Sequence, residues 1–128
     1  MFHPTEPRII AVLDWELSTL GHPLADIAYV CILHHSHSES WGTLDGVDLK
    51  AAGIPTEQEV VAAYCRRTGR PGIEGFNALL AFSMFRLASI GQGVFKRNIS
   101  GIGNATGYVD NSHVKELAAN AIAILRRG

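Results

Sequence analysis

The sequence predicts a mainly α domain of four to five helices with a short β element near the N-terminus. Three observations predict it. Apolar residues recur at helical spacing in four separate stretches. Helix start and stop signals bracket those stretches. Only one run, Arg8-Ile-Ile-Ala-Val-Leu13, is short and β-branched enough to suggest a strand. With 128 residues, 47% of them apolar, the chain has material for one core and too little for two full domains, so residues 1–128 are expected to form a single domain.

Taken in order, Pro4 and Pro7 bracket a turn, and the apolar run after them ends at Asp14, which fits a buried strand. Gly21-His22-Pro23 breaks the chain. Leu24, Ile27, Ala28 and Cys31 then recur at helical spacing, with Pro23 suited to the first helical position, so a helix is expected over about 23–33. Residues 34–54 mix His, Ser, Gly and Asp with scattered apolar anchors, Trp41 among them, and suggest a loop with one helical turn. Thr56 and Glu59 form a capping box, Val60, Val61 and Tyr64 supply an apolar face, and Gly69 sits where a C-terminal cap belongs. From about Glu74 to Arg97 the sequence is apolar nearly all round, which marks a central helix buried against several neighbours. Within it Arg86, Ser89, Gly93, Lys96 and Arg97 share one sector, a narrow polar stripe that either faces solvent or lines a pocket. Residues 98–107 carry three glycines and predict a flexible connection. Val114, Leu117, Ala118, Ala121, Ile122 and Leu125 then mark a terminal amphipathic helix.

Composition narrows the function classes. Eleven Lys and Arg against twelve Asp and Glu give a net charge of -1, so no global field recruits nucleic acid or an anionic membrane. Nowhere do about eighteen apolar residues follow one another, as a bilayer span requires. The first residues show no secretory signal, and a cytoplasmic location is the expectation. Cys31 and Cys65 make neither a disulfide framework nor a zinc knuckle and are expected to be buried apolar residues.

A carboxylate at the end of an apolar strand is well placed to hold a divalent cation, because the strand fixes its direction while the turn leaves its oxygens open. Asp14 has that setting. Glu16 would point to the same side if the strand continued, so the two could share one metal or one acid-base task. From spacing alone, a solvated or turn-capping pair is the commoner arrangement. His34, His35 and His37 form a cluster whose imidazoles suit a transition metal, but no cysteine accompanies them and solvation is expected. The segment Gly101-Ile-Gly103-Asn-Ala-Thr-Gly107 is glycine-rich, yet its spacing differs from a phosphate-binding loop and it follows a helix.

One ordered string goes further. Ile9-Ile-Ala-Val-Leu-Asp-Trp-Glu16, followed by Leu-Ser-Thr-Leu-Gly-His-Pro-Leu-Ala-Asp-Ile-Ala-Tyr29, resembles the metal-binding segment of the aminoglycoside phosphotransferase and choline kinase superfamily, with its Asp-Trp and following Gly-x-Pro-x-x-Asp. It is most similar to the branch whose kinase-like modules also occur fused to acyl-CoA dehydrogenases, and residues 49–68 and 80–97 resemble that branch too. The resemblance implies the C-terminal lobe of a protein-kinase-like fold. It further implies that Asp14 binds the magnesium bridging the nucleotide phosphates. Asp26 would act as a structural brace of the catalytic loop. Glu16 agrees with the branch as a contributor to metal or substrate. Arg86, Lys96 and Arg97 lie where related enzymes build the acceptor site and would meet an anionic acceptor, although solvated charge also fits them.

The superfamily places a His-Gly-Asp and a following Asn, the catalytic base and a second metal ligand, just before a segment resembling Met1-Phe2-His3-Pro4. Neither occurs in this sequence, nor does the glycine-rich small lobe that holds the triphosphate. The expectation is therefore the C-terminal part of an ATP-dependent small-molecule phosphotransferase, with Mg2+ and ATP as cofactors of the intact enzyme and inactivity of this chain alone. The expected acceptor is a small-molecule hydroxyl, for example that of a hydroxyacyl-CoA. A non-catalytic binding module or a structural oligomeric fragment is the alternative. A strand without its neighbours leaves an apolar edge, so a homodimer is also expected.

Overall fold

The computed structural model describes residues 1–37, 42–102 and 110–127. Among these residues four α-helices carry the architecture: α1 (Pro23–Val30), α2 (Glu57–Thr68), α3 (Phe76–Ile99) and α4 (Ser112–Leu125), with 3₁₀ turns at Trp15–Leu17 and Cys31–His34. The mainly α class predicted from the sequence is the class observed. Trp41 and residues 103–107 of the glycine-rich connection lie outside the described residues.

Local signals explain the helix limits. Pro23 opens α1, where its missing N–H would have no helical partner in any case. The helix then tightens into the 3₁₀ turn at Cys31–His34, so the predicted 23–33 segment is one α-helix with a narrower last turn. The capping box forms: the Glu59 N–H donates to Thr56 Oγ1 at 3.3 Å, and the Thr56 N–H donates to Glu59 Oε2 at 2.8 Å. Gly69 ends α2 at φ 69°, a left-handed value that a residue with a Cβ adopts only under strain.

The core lies where α3 crosses α1 and α4. Leu80, Met84 and Leu117 are fully buried together with Ala28 and Cys31. α4 is the principal partner of α3, and α1 the next. Two hydrogen bonds tie the layers: Ser83 Oγ on α3 donates to the Ala25 carbonyl at 3.3 Å, and Asn120 Nδ2 on α4 donates to the His35 carbonyl at 3.2 Å. Cys31 and Cys65 are buried free thiols, as expected, and burial pushes the Cys31 thiol up to about 11, with Glu57 adding to the shift.

Two expectations need correction. Arg8–Leu13 is no buried strand: among the described residues the only β pairing is an isolated antiparallel bridge between Phe2 and Ile9. Residues 1–3 fold back on 8–11 through the Pro4–Pro7 turn, with the His3 N–H donating to the Arg8 carbonyl at 2.9 Å. Ile9, Val12 and Leu13 are 60–64% exposed. A two-stranded ribbon with no third strand and nothing on its apolar face does not extend into a sheet. Second, α3 is not buried all round. Its Leu80, Met84 and Leu87 face is covered, while Phe82, Phe85 and Ile90 are more than half exposed. By length and composition α3 also reaches what a membrane span needs. Polar residues interrupt it, so no unbroken apolar run signalled this, and in the fold its covered face packs against α1 and α4.

Candidate functional site

Asp14 stands where the extended N-terminal segment enters the first 3₁₀ turn. Its φ of 70° and ψ of 43° are left-handed, and no other non-glycine residue among those described has a positive φ. Asp tolerates this region better than most side chains, at a cost that neighbouring contacts must offset. Those contacts are visible. Trp15 Nε1 donates to the Val12 carbonyl at 2.7 Å, across Asp14, and the Ser18 N–H and hydroxyl both donate to the Trp15 carbonyl, at 2.9 and 2.6 Å. Trp15 is 65% exposed and works through its indole N–H. The turn is fixed by bonds that leave the Asp14 carboxylate exposed and without a partner among the described residues.

The companions predicted for Asp14 fare differently. Glu16 is exposed in the 3₁₀ turn, so the pleated alternation that would align it with Asp14 is not present. Asp26 is exposed in the first turn of α1, where a negative charge suits the helix dipole, and it braces no loop among the described residues. Arg86 lies with its guanidinium carbon 4.8 Å from the centroid of the Tyr29 ring, a cation-π contact joining α3 to α1. Lys96 and Arg97 are exposed, and Arg97 runs back along the helix to within 3.5 Å of where a Cβ on Gly93 would sit. Ser89 donates to the Phe85 carbonyl at 2.9 Å. The polar stripe of α3 thus faces solvent.

The histidines are not free surface groups. His34 Nε2 pairs with the Pro55 carbonyl at 3.0 Å, His35 pairs with Glu57, and His37 Nδ1 pairs with Asp45 at 2.6 Å. The first two clasp the segment leading into α2 against the end of α1. Among the described residues no group of three or more His, Cys, Asp or Glu could hold a metal. This clasp was missed because its partners are 21 and 22 residues apart, beyond any local motif. Two cavities away from Asp14 were missed as well. A cleft of about 760 Å³ lies between residues 49–56 and α2, with Lys50 and Arg66 in its walls. An apolar groove of about 360 Å³ runs between α3 and α4, lined by Phe82, Phe85, Ile122 and Leu125.

Comparison with known proteins places this geometry. The profile of the phosphotransferase enzyme family matches residues 1–74, the part that contains Asp14, Asp26 and the histidine clasp. Mouse acyl-CoA dehydrogenase family member 10 is 47% identical over 104 residues, covering 79% of this chain and 10% of its own. Rat acyl-CoA dehydrogenase family member 11 is 38% identical over 130 residues, covering 99% of this chain and 17% of its own. A crystal structure assigned as an aminoglycoside phosphotransferase from Ralstonia eutropha superposes with a TM-score of 0.87 at 43% identity, over 99% of this chain and 39% of that one. The chain therefore spans less than a fifth of these curated relatives. Matched by the family profile over 74 of its 128 residues, it belongs to the phosphotransferase enzyme family.

Proposed function

We propose that this chain is the metal-gripping and acceptor-side part of an ATP-dependent small-molecule phosphotransferase, which passes the γ-phosphate of ATP to a substrate hydroxyl with Mg2+. The observation that carries the proposal is the backbone of Asp14: a left-handed aspartate, pinned by the Trp15 and Ser18 hydrogen bonds, with its carboxylate open. Strain of this kind persists where the surroundings enforce it, and it commonly marks a working residue.

A lone open carboxylate fits magnesium. That ion keeps several waters and is commonly held by one or two carboxylates together with substrate phosphates, so a closed protein cage is not required. Asp14 would hold it, and when bound the ion supplies neutralisation of phosphate charge. Glu16, two residues on, is the further acidic group offered to metal or substrate. Asp26 keeps its place as a brace for a catalytic loop supplied by longer chains of the family. Arg86, Lys96 and Arg97 offer solvent-facing cations to an anionic acceptor, for which a hydroxyacyl-CoA is the candidate; the acyl-CoA dehydrogenase names of the relatives support that class.

A positioned general base is worth about 10² to 10⁴ in rate, and this sequence contains no His-Gly-Asp to supply it. The purified chain is therefore expected to transfer no phosphate at a useful rate. The test joins residues 1–128 to the preceding part of the Ralstonia protein. Magnesium-dependent ATP turnover by that fusion should fall about a hundredfold or more with Asp14→Asn. Equal turnover with Asp14→Asn would falsify the assignment. One observation favours a second reading, a non-catalytic interaction module: the exposed apolar run Ile9–Leu13. A fusion that binds an acceptor but ignores magnesium-ATP would select it.

A further inference from the structure

The segment before α2 builds a concave surface that the phosphotransferase reading does not use. Residues 48–54 make one helical turn, with the Ala52 N–H donating to the Asp48 carbonyl at 2.9 Å and the Ile54 N–H to the Leu49 carbonyl at 2.8 Å. Gly53 closes it at φ +68°, with open space around its Cβ position, so backbone conformation and not crowding calls for glycine there. The chain then reverses through Ile54-Pro55 into the Thr56 cap. On α2, Glu59, Ala63 and Arg66 recur at four and three residues and so share one face. The turn and that face border an open cleft of about 760 Å³, a size suited to a small ligand.

Its chemistry is uneven. Leu49, Ile54 and Ala63 give it an apolar wall. Lys50 comes from the turn and Arg66 from α2, and neither is in an ion pair among the described residues. The acid in the lining, Glu59, is already engaged, because its Oε2 accepts from both the Thr56 N–H at 2.8 Å and the Thr56 hydroxyl at 3.0 Å. Glu59 keeps its charge, so two cations from different elements face one carboxylate and the lining is net positive, which favours an incoming anion.

We propose that this cleft binds a small amphipathic anion, with its carboxylate or phosphate held between Lys50 and Arg66 and its aliphatic part laid on Leu49, Ile54 and Ala63. The site is independent of Asp14 and of phosphoryl transfer. Amide NMR titration of the chain with hexanoate, hexyl phosphate and hexan-1-ol tests it. At least one of the anions should shift signals of residues 49–56 and 59–66 saturably by about 20 mM, and the one that does so identifies the head group. Hexan-1-ol should not. Lys50→Ala and Arg66→Ala should each weaken binding about threefold to tenfold, and Arg66→Lys less, while the unperturbed signals report that the fold is kept. Binding of hexan-1-ol as tight as the anions, no saturable shift by either anion, or binding that both alanine variants leave unchanged would overturn the site.

Discussion

A left-handed backbone costs an ordinary L-residue about 1–2 kcal/mol, and Asp14 holds one at φ 70°. Glycine carries no such cost, so Asp14→Gly should raise the urea midpoint by an amount worth about 0.5–1 kcal/mol, whereas Asp14→Ala should lower it. A drop with glycine would mean that the carboxylate, not the backbone, holds the turn. Thr56 and Glu59 make a second residue-scale case. Hydrogen bonds from the Thr56 N–H and then its hydroxyl hold the Glu59 carboxyl below the ordinary 4.5. A folded-state value depressed below the unfolded one contributes stability above the ordinary value and loses it as pH falls through the folded one. Thr56 is the N-cap of α2, and Thr56→Ala should cost about 1 kcal/mol at neutral pH. Its gap from the parent should narrow as pH falls below 4.5, read from urea midpoints across the acid range. The capping box and Gly69 were legible in the sequence because each is a local bargain among a few residues. Asp14 could be singled out from the sequence too, through its ordered neighbours. Its left-handed backbone was not, since it depends on the Trp15 indole reaching back to Val12.

Among the elements, α3 carries the stability, and α2 is tied to the 3₁₀ turn that follows α1. Leu80 and Met84 are fully buried between α1 and α4, while α2 is tied in through the His34 and His35 clasp and the packing of Val60 and Val61. Met84→Ala leaves a cavity that the crossing helices cannot close and should cost about 2–5 kcal/mol, a large share of a typical domain's stability. Phe85→Ala, one residue on but 63% exposed, should cost under about 1 kcal/mol. Urea unfolding of the two variants checks the contrast, and similar costs would mean that the outer face of α3 is covered in solution. Periodicity found all four helices, because spacing reports which residues share a face. It could not tell which of the apolar faces on α3 would find a partner, since that depends on what the rest of the chain brings. The β-branched run failed as a strand for the same reason: propensity favours extension, but a sheet needs neighbours.

At the scale of the whole molecule, surface area shows how much of this chain awaits cover. A self-contained protein of 13.8 kDa exposes about 6,600 Å², whereas this one exposes 9212 Å². The excess exceeds the roughly 800 Å² that each partner buries in a stable interface. Much of its apolar part lies on the N-terminal arm, where Phe2, Ile9, Val12, Leu13 and Trp15 are all at least 60% exposed. The arm also presents an extended edge next to the Phe2–Ile9 bridge, and such edges pair. Pairing with a second copy would be isologous, with the same arm contributed twice around a two-fold axis. The isolated chain is therefore expected to be a homodimer by light scattering at micromolar concentration. Replacing Ile9 and Leu13 together by lysine puts like charges across that axis and should return it to a monomer without loss of helical content, because neither side chain is part of the core. Longer relatives offer another cover: the solved neighbour carries well over half its length beyond the matched region. Fusing the preceding part of that protein should abolish the dimer by covering the arm from within. A monomeric parent chain, or a dimer that persists in the double lysine variant, would show that the arm is not the surface through which copies meet.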